Sequence, residues 1–479
     1  MGFKALNAGM GFTLSLGLAM ILGADSGTDA LLIALFIPVV IGQSLIPLIS
    51  MIIVPVMVQE EDEGASHLPP GVGGIVLTVT LVTGALVFAF PQAIVSLMGP
   101  GLNADSVNRA CDLVRILIPA LVLISMFGLS QSYFYANKHF YRPELGRFTW
   151  RAVSLLGLVT IGPSRGVTGY AWCVLGASFL QLMFVFPGPF FSREFCQVTC
   201  PRHIRHRLTK AFLTVGTSAV LGWTIQLCIR SVSSLYGKGV LTIVDYSDRL
   251  AQFIPLLMAR SFFTLLLPDL ATIQKKGETG SILAGYVGLL LFLMGVPLAG
   301  FIYFITPDIS RLLCDYSKIP RESMDTLTFA IRGFTLGIPA VLGHMSLKGV
   351  FLVARKIRAT ALIEIIHLIS FGAALIVLYR LGPWGITTSV SISSWIVLLF
   401  LYKILSLSLG KKNILRTGAG TALIFASTAI PLHKSASVSV MITITSFLLY
   451  IVLVRPVWTM CIRQLKEEYH KTKGVGHVP

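Results

Sequence analysis

The sequence predicts an all-α polytopic membrane protein of about fourteen transmembrane helices, in two six-helix repeat lobes plus two C-terminal helices. Composition, the spacing of apolar runs and an internal repeat point to it. Of 479 residues, 54% are hydrophobic and only 12% charged, and the mean hydropathy is +0.80. Soluble domains carry about 25% charged residues, so a string of soluble domains is excluded. Each span needs roughly 20 residues, and about fourteen spans would use roughly 280. The runs do not alternate in polarity, and lipid admits only helices or closed barrels.

Apolar runs fall near 5–22, 31–58, 73–98, 113–135, 147–163, 167–190, 211–235, 242–272, 281–305, 327–353, 360–380, 384–408, 414–431 and 437–457. The first begins almost at Met1, without the small-residue cleavage site of a signal peptide, and reads as a span. Asp29, after Thr28 and ahead of the second run, is placed as a helix N-cap. That run holds Pro38, Pro47 and Pro55, and the eighth holds Pro255 and Pro268. Tilted, kinked helices account for their length. Turn or charged segments separate the runs, among them the acidic EEDEGASHLPPG (60–71) and the basic PRHIRHRLTK (201–210).

The formal net charge is +17, but its distribution speaks against nucleic acid as a partner. Basic residues cluster between apolar runs, the pattern of loops that face the cytoplasm and its anionic leaflet. With an inside amino terminus, Lys138, Arg142 and Arg147, then Arg202, Arg205 and Arg207, then Arg355, Lys356 and Arg358 all fall on that side. So does a tail with Arg463 and Lys466. Glu60 to Glu63 sit where a basic loop is wanted, although acidic residues contribute little to orientation. Both termini are therefore expected in the cytoplasm. Seven cysteines, mostly within apolar runs, make no disulfide framework.

ALLIALFIP (30–38) aligns with DRLAQFIP (248–255), and LIPALVLISMFGLSQSYFYANK (117–138) aligns with GIPAVLGHMSLKGVFLVARK (337–356) at nearly the same offset. A parallel repeat of this size is a transporter architecture with the substrate path between the halves. It predicts an N-terminal lobe over 1–200, a C-terminal lobe over 201–410, two extra helices over 411–460 and a basic tail over 461–479. Two lobes supply both sides of a path, so a monomer is expected.

Charges within spans are expensive and usually face a cavity or a partner. In VDYSDRLAQFIPLLMARSFFTLLLPDLA (244–271), Asp245, Arg249, Gln252, Leu256 and Arg260 follow at helical spacing, so the polar members share a face. Guanidinium groups there suit an anionic ligand, because they stay charged and grip phosphate oxygens in bidentate fashion. The alternative locks Arg249 to Asp245 or Asp248 and leaves Arg260 at the membrane edge. Arg230, Arg332, Lys348 and Glu364 are the other intramembrane charges; Lys348 either lines the same cavity or snorkels to the surface. Glu364 and His367 form either a proton relay or a self-satisfied pair. Asp29 has a gate as its second reading.

Cys196, Cys200, His203 and His206 lack the spacing of structural zinc sites, so no metal is expected. No cofactor is expected either. There is no G-x-x-x-x-G-K-[ST] stretch for ATP, and LGKKN (409–413) lacks the upstream glycine. No metalloprotease, serine-hydrolase or dinucleotide motif marks an enzyme. Transport would run on a gradient or a membrane potential.

GADSGTDALLIALFIPVVI (23–41), YANKHFYRPELGRFTWRAV (135–153), VLGASFLQLMFVFP (174–187), DYSDRLAQF and LLLPDLA (within 245–271) and VFLVARKIRATALIEI (350–365) resemble the MviN/MurJ-type lipid II flippases in order and spacing. That family belongs to the multidrug/oligosaccharidyl-lipid/polysaccharide exporter superfamily. The resemblance covers nearly the whole chain. It implies alternating access of two lobes around a cationic cavity, carrying a polyprenyl-pyrophosphate-linked saccharide across the bacterial cytoplasmic membrane. It gives functional weight to Asp29, Asp248 and Arg249.

The chain departs from the family at the basic positions of the first two helices, which fall near Ala8, Leu14, Gly42 and Gln43. It also starts late, leaving its first helix truncated or degenerate. The acidic residue of sodium-dependent members falls near Ile229. Arg230, Arg260 and Lys348 are then candidates for a different cationic lining. Three readings follow: a lipid II flippase, an exporter of another lipid-linked polysaccharide unit, and a degenerate paralogue that transports nothing. Export of small cationic drugs is disfavoured by the basic candidates.

Overall fold

The apolar runs become helices, and every regular element among the described residues is helical. The computed structural model describes residues 2–61, 71–186, 202–274, 279–353, 357–404, 421 and 436–473. The helices are α1 (Gly2–Ile21), α2 (Ser26–Leu35), α3 (Gly42–Glu61), α4 (Val72–Ala89), α5 (Pro91–Met98), α6 (Ala104–Ala136), α7 (Tyr141–Thr160) and α8 (Gly162–Met183). They continue as α9 (Arg202–Ser234), α10 (Val240–Gln274), α11 (Thr279–Tyr316), α12 (Met324–Thr335), α13 (Ile338–Val353), α14 (Ile357–Leu378) and α15 (Pro383–Ile404). The last is Ala436–Lys473, here α16. Among the described residues, nine helical stretches are long and apolar enough to cross a membrane. The run at 414–431 lies almost wholly outside the described residues, as does the acidic segment from Asp62 onward.

Local chemistry explains where the helices depart from the apolar runs. The run at 31–58 is one continuous rod whose ladder widens into a π-helical turn at Phe36–Ile41. Pro38 sits within that turn; a proline lacks the N–H that an α-helical turn would use and crowds the preceding carbonyl. The run at 73–98 breaks at Phe90, with Pro91 opening α5. Asn103 caps α6 by accepting from the Ser106 N–H, so the helix starts well before the apolar stretch. The run at 327–353 divides into α12 and α13. The basic segment 201–210, expected as a connection, is helical from Arg202. It contains no Gly or Pro after Pro201 to stop the helix.

Two compact units divide the chain: Met1–Tyr246 with Leu312–Met324, and Ser247–Arg311 with Asp325–Pro479. The first therefore extends past the boundary at 200 suggested by the repeat. The reason is packing: α9 lies against α3 and α5, and thus stays with the amino-terminal helices.

In the first unit, α6 is the central helix, contacting α2, α3, α4, α5 and α8. Ile46, Ala120, Ile124, Phe127, Phe134, Leu182 and Val185 form one buried cluster. Leu48, Ile49, Ile52, Ile53, Met57, Val72, Leu129 and Ala136 form another. In the second unit, Leu289, Phe292, Leu293 and Val296 of α11 pack with Ala340, Leu347, Ile363, Val397, Leu398, Leu401, Tyr450, Val454 and Val457. Lipid offers no hydrophobic drive between helices, so close backbone approach decides these contacts. At Gly128 of α6 a Cβ would lie 3.2 Å from Ile49 Cδ1 and 3.3 Å from the Ile46 Cα.

Gly128→Val is expected to destabilise the first unit by about 1–3 kcal/mol through overpacking. Gly176→Ala has open space around it and is expected to be neutral or to stabilise α8 by up to about 1 kcal/mol. Thermal unfolding of the detergent-solubilised protein distinguishes the two.

Candidate functional site

Among the described residues, buried polar side chains gather in several places, and both units hold candidate residues. In the first unit the organising group is the Asp29 carboxylate, 2% exposed. It was expected to cap its own helix, but Asp25 does that, accepting from the Thr28 N–H at 2.8 Å. Asp29 instead caps α10. Its Oδ2 accepts from the Gly239 N–H at 2.6 Å, and its Oδ1 accepts from the Thr242 N–H at 2.9 Å and the Thr242 hydroxyl at 2.6 Å. A helix N-terminus presents unpaired N–H groups and the positive end of the helix dipole, so a carboxylate is its natural partner.

Backbone geometry delivers these donors. Gly239 has φ +78°, and a Cβ there would stand 2.6 Å from the Ala24 carbonyl oxygen. Only glycine permits both the turn and the approach. The Tyr246 hydroxyl donates to the Gly23 carbonyl at 3.1 Å. The loop between α1 and α2 is thus tied to the start of α10 inside one unit.

Arg230 and Asp245 form the second feature of this unit. Arg230 Nη2 meets Asp245 Oδ1 at 2.9 Å, with side chains 7% and 11% exposed. Arg230 Nη1 also donates to the Gln226 side-chain oxygen at 3.1 Å, and its guanidinium lies 4.7 Å from the Phe36 ring centroid. Phe36 occupies the first position of the π-helical turn, so the Pro38 irregularity also places this ring.

In the second unit, Lys348 of α13 pairs with Glu364 of α14. Glu364 is buried, and His367 Nδ1 stands 4.0 Å from its other oxygen. The His344 and His367 rings face each other edge to face at 5.8 Å. On α10, Gln252 donates to Asp248 at 2.5 Å, and Arg249 is half-buried.

The candidate residues thus divide. Asp29, Arg230 and Asp245 are held in unit 1, and Asp248, Arg249, Gln252 and Lys348 in unit 2. Arg260 lies on α10, but its side chain is outside those described. Cys196 and Cys200 are outside the described residues, as is the His203 side chain, and His206 is exposed. Among the described residues no three His, Cys, Asp or Glu side chains converge as metal ligands.

Gly239, Thr242, Gln226 and Phe36 were not singled out in the sequence. The nearest signal was YGKG (236–239), a turn before an apolar run. A second polar knot was also missed. Glu144 accepts from the Tyr135 hydroxyl at 2.8 Å and from Asn7 Nδ2 at 3.2 Å, and Arg151 donates to the Asn7 carbonyl at 2.6 Å.

Arg230→Ala should destabilise the protein by about 3–5 kcal/mol, because it removes the guanidinium that meets the buried Asp245 carboxylate. The Arg230→Ala/Asp245→Ala double variant should recover more than about 1 kcal/mol of that in a double-mutant cycle. Asp29→Ala should cost more than Thr242→Val, which removes one of three donors; each such charge-assisted bond contributes roughly 1.5–3 kcal/mol. Equilibrium unfolding in detergent measures these variants, with Asp245→Ala completing the cycle.

Comparisons with known proteins agree with this architecture. A family model described as lipid II flippase MurJ matches residues 18–459. The lipid II flippase MurJ of Burkholderia cenocepacia is 23% identical over 439 residues, covering 88% of this chain and 84% of the relative. A solved structure, lipid II flippase MurJ in an inward closed conformation, superposes with a TM-score of 0.79 at 18% identity, over 95% of this chain and 98% of that one. An inward-facing MATE-family multidrug resistance transporter of the MOP superfamily follows with a TM-score of 0.67 at 15% identity, over 82% and 94%. The fold is that of these transporters, and by the match over residues 18–459 the chain belongs to the lipid II flippase MurJ family.

Proposed function

We propose that this chain is a flippase for a polyprenyl-pyrophosphate-linked saccharide, with lipid II as the first cargo, and that it works by alternating access of two six-helix lobes. The observation that carries the reading is the family match from residue 18 to residue 459. The intramembrane charges supply a chemical reason. A pyrophosphate crossing hydrocarbon needs fixed cations, and guanidinium groups satisfy phosphate oxygens without changing protonation. Arg249 and Arg260 are assigned to that role. Arg230 and Lys348 join them by exchanging their carboxylate partners, Asp245 and Glu364, for cargo phosphate. Asp248 and Gln252 form the hydrogen-bonded pair beside Arg249 on α10. Asp29 is assigned to a gate, since releasing its three donors would free the start of α10.

The family match supports a place in the bacterial cytoplasmic membrane, two lobes that supply both sides of a path suit a monomer, and the positive-inside distribution of Lys and Arg suits termini in the cytoplasm. Moving one elementary charge across 100 mV is worth about 2.3 kcal/mol, so a membrane potential is on the right scale to bias the cycle.

One observation favours a second reading within the same fold. By the resemblance, the family's basic positions fall near Ala8, Leu14, Gly42 and Gln43, none of them basic, and Gln43 Nε2 donates to the Gln181 side-chain oxygen at 3.3 Å. A neutral amide pair where guanidinium groups are expected suits a different lipid-linked polysaccharide unit.

Complementation separates the readings. In a bacterium depleted of its lipid II flippase, the native chain should restore growth, while Arg249→Ala and Arg260→Ala should not. Failure of the native chain, with the protein confirmed in the membrane, would favour another polysaccharide cargo or a degenerate paralogue.

A further inference from the structure

Arg332 and Tyr303 form a pair that the charges discussed so far do not explain. Arg332 lies in the last turn of α12, and its guanidinium carbon sits 4.7 Å from the Tyr303 ring centroid on α11. Both residues belong to the second unit. Lys348, in the same unit, has Glu364 as its carboxylate partner. Among the described residues Arg332 has no ion pair and no side-chain hydrogen bond, and its Nε is buried with no acceptor. Tyr303 likewise has no hydrogen-bond partner for its hydroxyl.

One ordinary role for such an arginine, neutralising the exposed carbonyls at the end of α12, is already filled. The Ser391 hydroxyl donates to the Gly333 carbonyl at 2.6 Å, and the Trp395 indole N–H donates to the Leu336 carbonyl at 3.0 Å. The Arg332 and Phe334 carbonyls accept from the Leu336 and Gly337 N–H groups.

A guanidinium that spends no donor on protein, in a medium where an unmatched charge is costly, is held ready for a ligand. The aromatic ring fixes its plane by cation–π contact and leaves the in-plane N–H fork open, the geometry that grips an oxyanion with two parallel hydrogen bonds. The Tyr303 hydroxyl is a further donor on the adjacent helix.

We infer that Arg332, seated on the Tyr303 ring, is an oxyanion-binding residue of the second unit that takes a phosphate group of the lipid-linked cargo. This rests on the flippase reading above and adds to it a cation outside the α10 set.

The test uses the full chain in phosphatidylcholine nanodiscs, with binding read by native mass spectrometry. The probes are undecaprenyl pyrophosphate, uncharged undecaprenol and inorganic pyrophosphate; Arg332→Gln, Arg332→Lys and Tyr303→Leu are compared with the native chain at matched thermal stability. The expected result is that undecaprenyl pyrophosphate binds the native chain and weakens at least tenfold in Arg332→Gln. Arg332→Lys should recover part of the loss, because an ammonium keeps the charge but not the fork. Undecaprenol should not distinguish the variants. Equal binding of undecaprenyl pyrophosphate by native chain and Arg332→Gln overturns the Arg332 assignment and leaves the flippase reading standing. Arg332-dependent binding of inorganic pyrophosphate without any binding of the lipid keeps the oxyanion site and overturns the lipid-linked cargo. Full competition by phosphatidylglycerol would make the bound oxyanion a bilayer headgroup and overturn the cargo assignment. No binding of any probe by the native chain overturns both.

Discussion

Inside a protein, a carboxylate or a backbone N–H buried without a partner is penalised by several kcal/mol. The contact between Asp29 and the first turn of α10 answers that constraint twice. It neutralises a carboxylate that is 2% exposed, and it satisfies two N–H groups and a hydroxyl that would otherwise be orphaned in the interior. The positive φ of Gly239, its approach to the Ala24 carbonyl and the Tyr246 bond to Gly23 all serve the same junction. An interaction that is both strong and confined to a few donors is also one that a conformational cycle can make and break as a unit.

The other intramembrane charges follow the same logic with different partners. Arg230 is met by Asp245, and Lys348 by Glu364. Buried pairs of this kind add little net stability, because desolvation offsets most of the attraction. In the flippase cycle proposed above, such a pair is a store: a cation held by a carboxylate costs less than a bare one and would exchange that carboxylate for a cargo phosphate. Arg332 departs from the pattern, with an aromatic ring in place of a carboxylate.

Irregularities in the helices carry part of this arrangement. Pro38 sits where the rod widens into a π-helical turn, and Phe36 at its first position meets the Arg230 guanidinium. The division of α12 from α13 leaves carbonyls that Ser391 and Trp395 of α15 satisfy. Both irregularities meet side chains from another helix: a guanidinium of α9 on the Phe36 ring at the first, and α15 donors on backbone carbonyls at the second.

Helical class, the positions of most spans and the charged residues worth attention were legible in the sequence, because period and apolar length are local properties that lipid enforces. Family membership was legible for a related reason: motifs such as GTDALLIALFIP and DYSDRLAQF keep their order whatever their contacts. Pairing was not legible. Asp29 looked like a cap for its own helix, and only the folded chain brings α10 to it while Asp25 takes the local role. The helical spacing pointed to Asp245 or Asp248 as partners for Arg249, and nothing in that spacing showed that the Asp245 carboxylate meets Arg230 from α9. Glu144 and Arg332 carried no local mark of what they would touch. A sequence records which groups must be satisfied, but the partner of each is set by which helices pack together, and that depends on contacts between residues far apart in the chain.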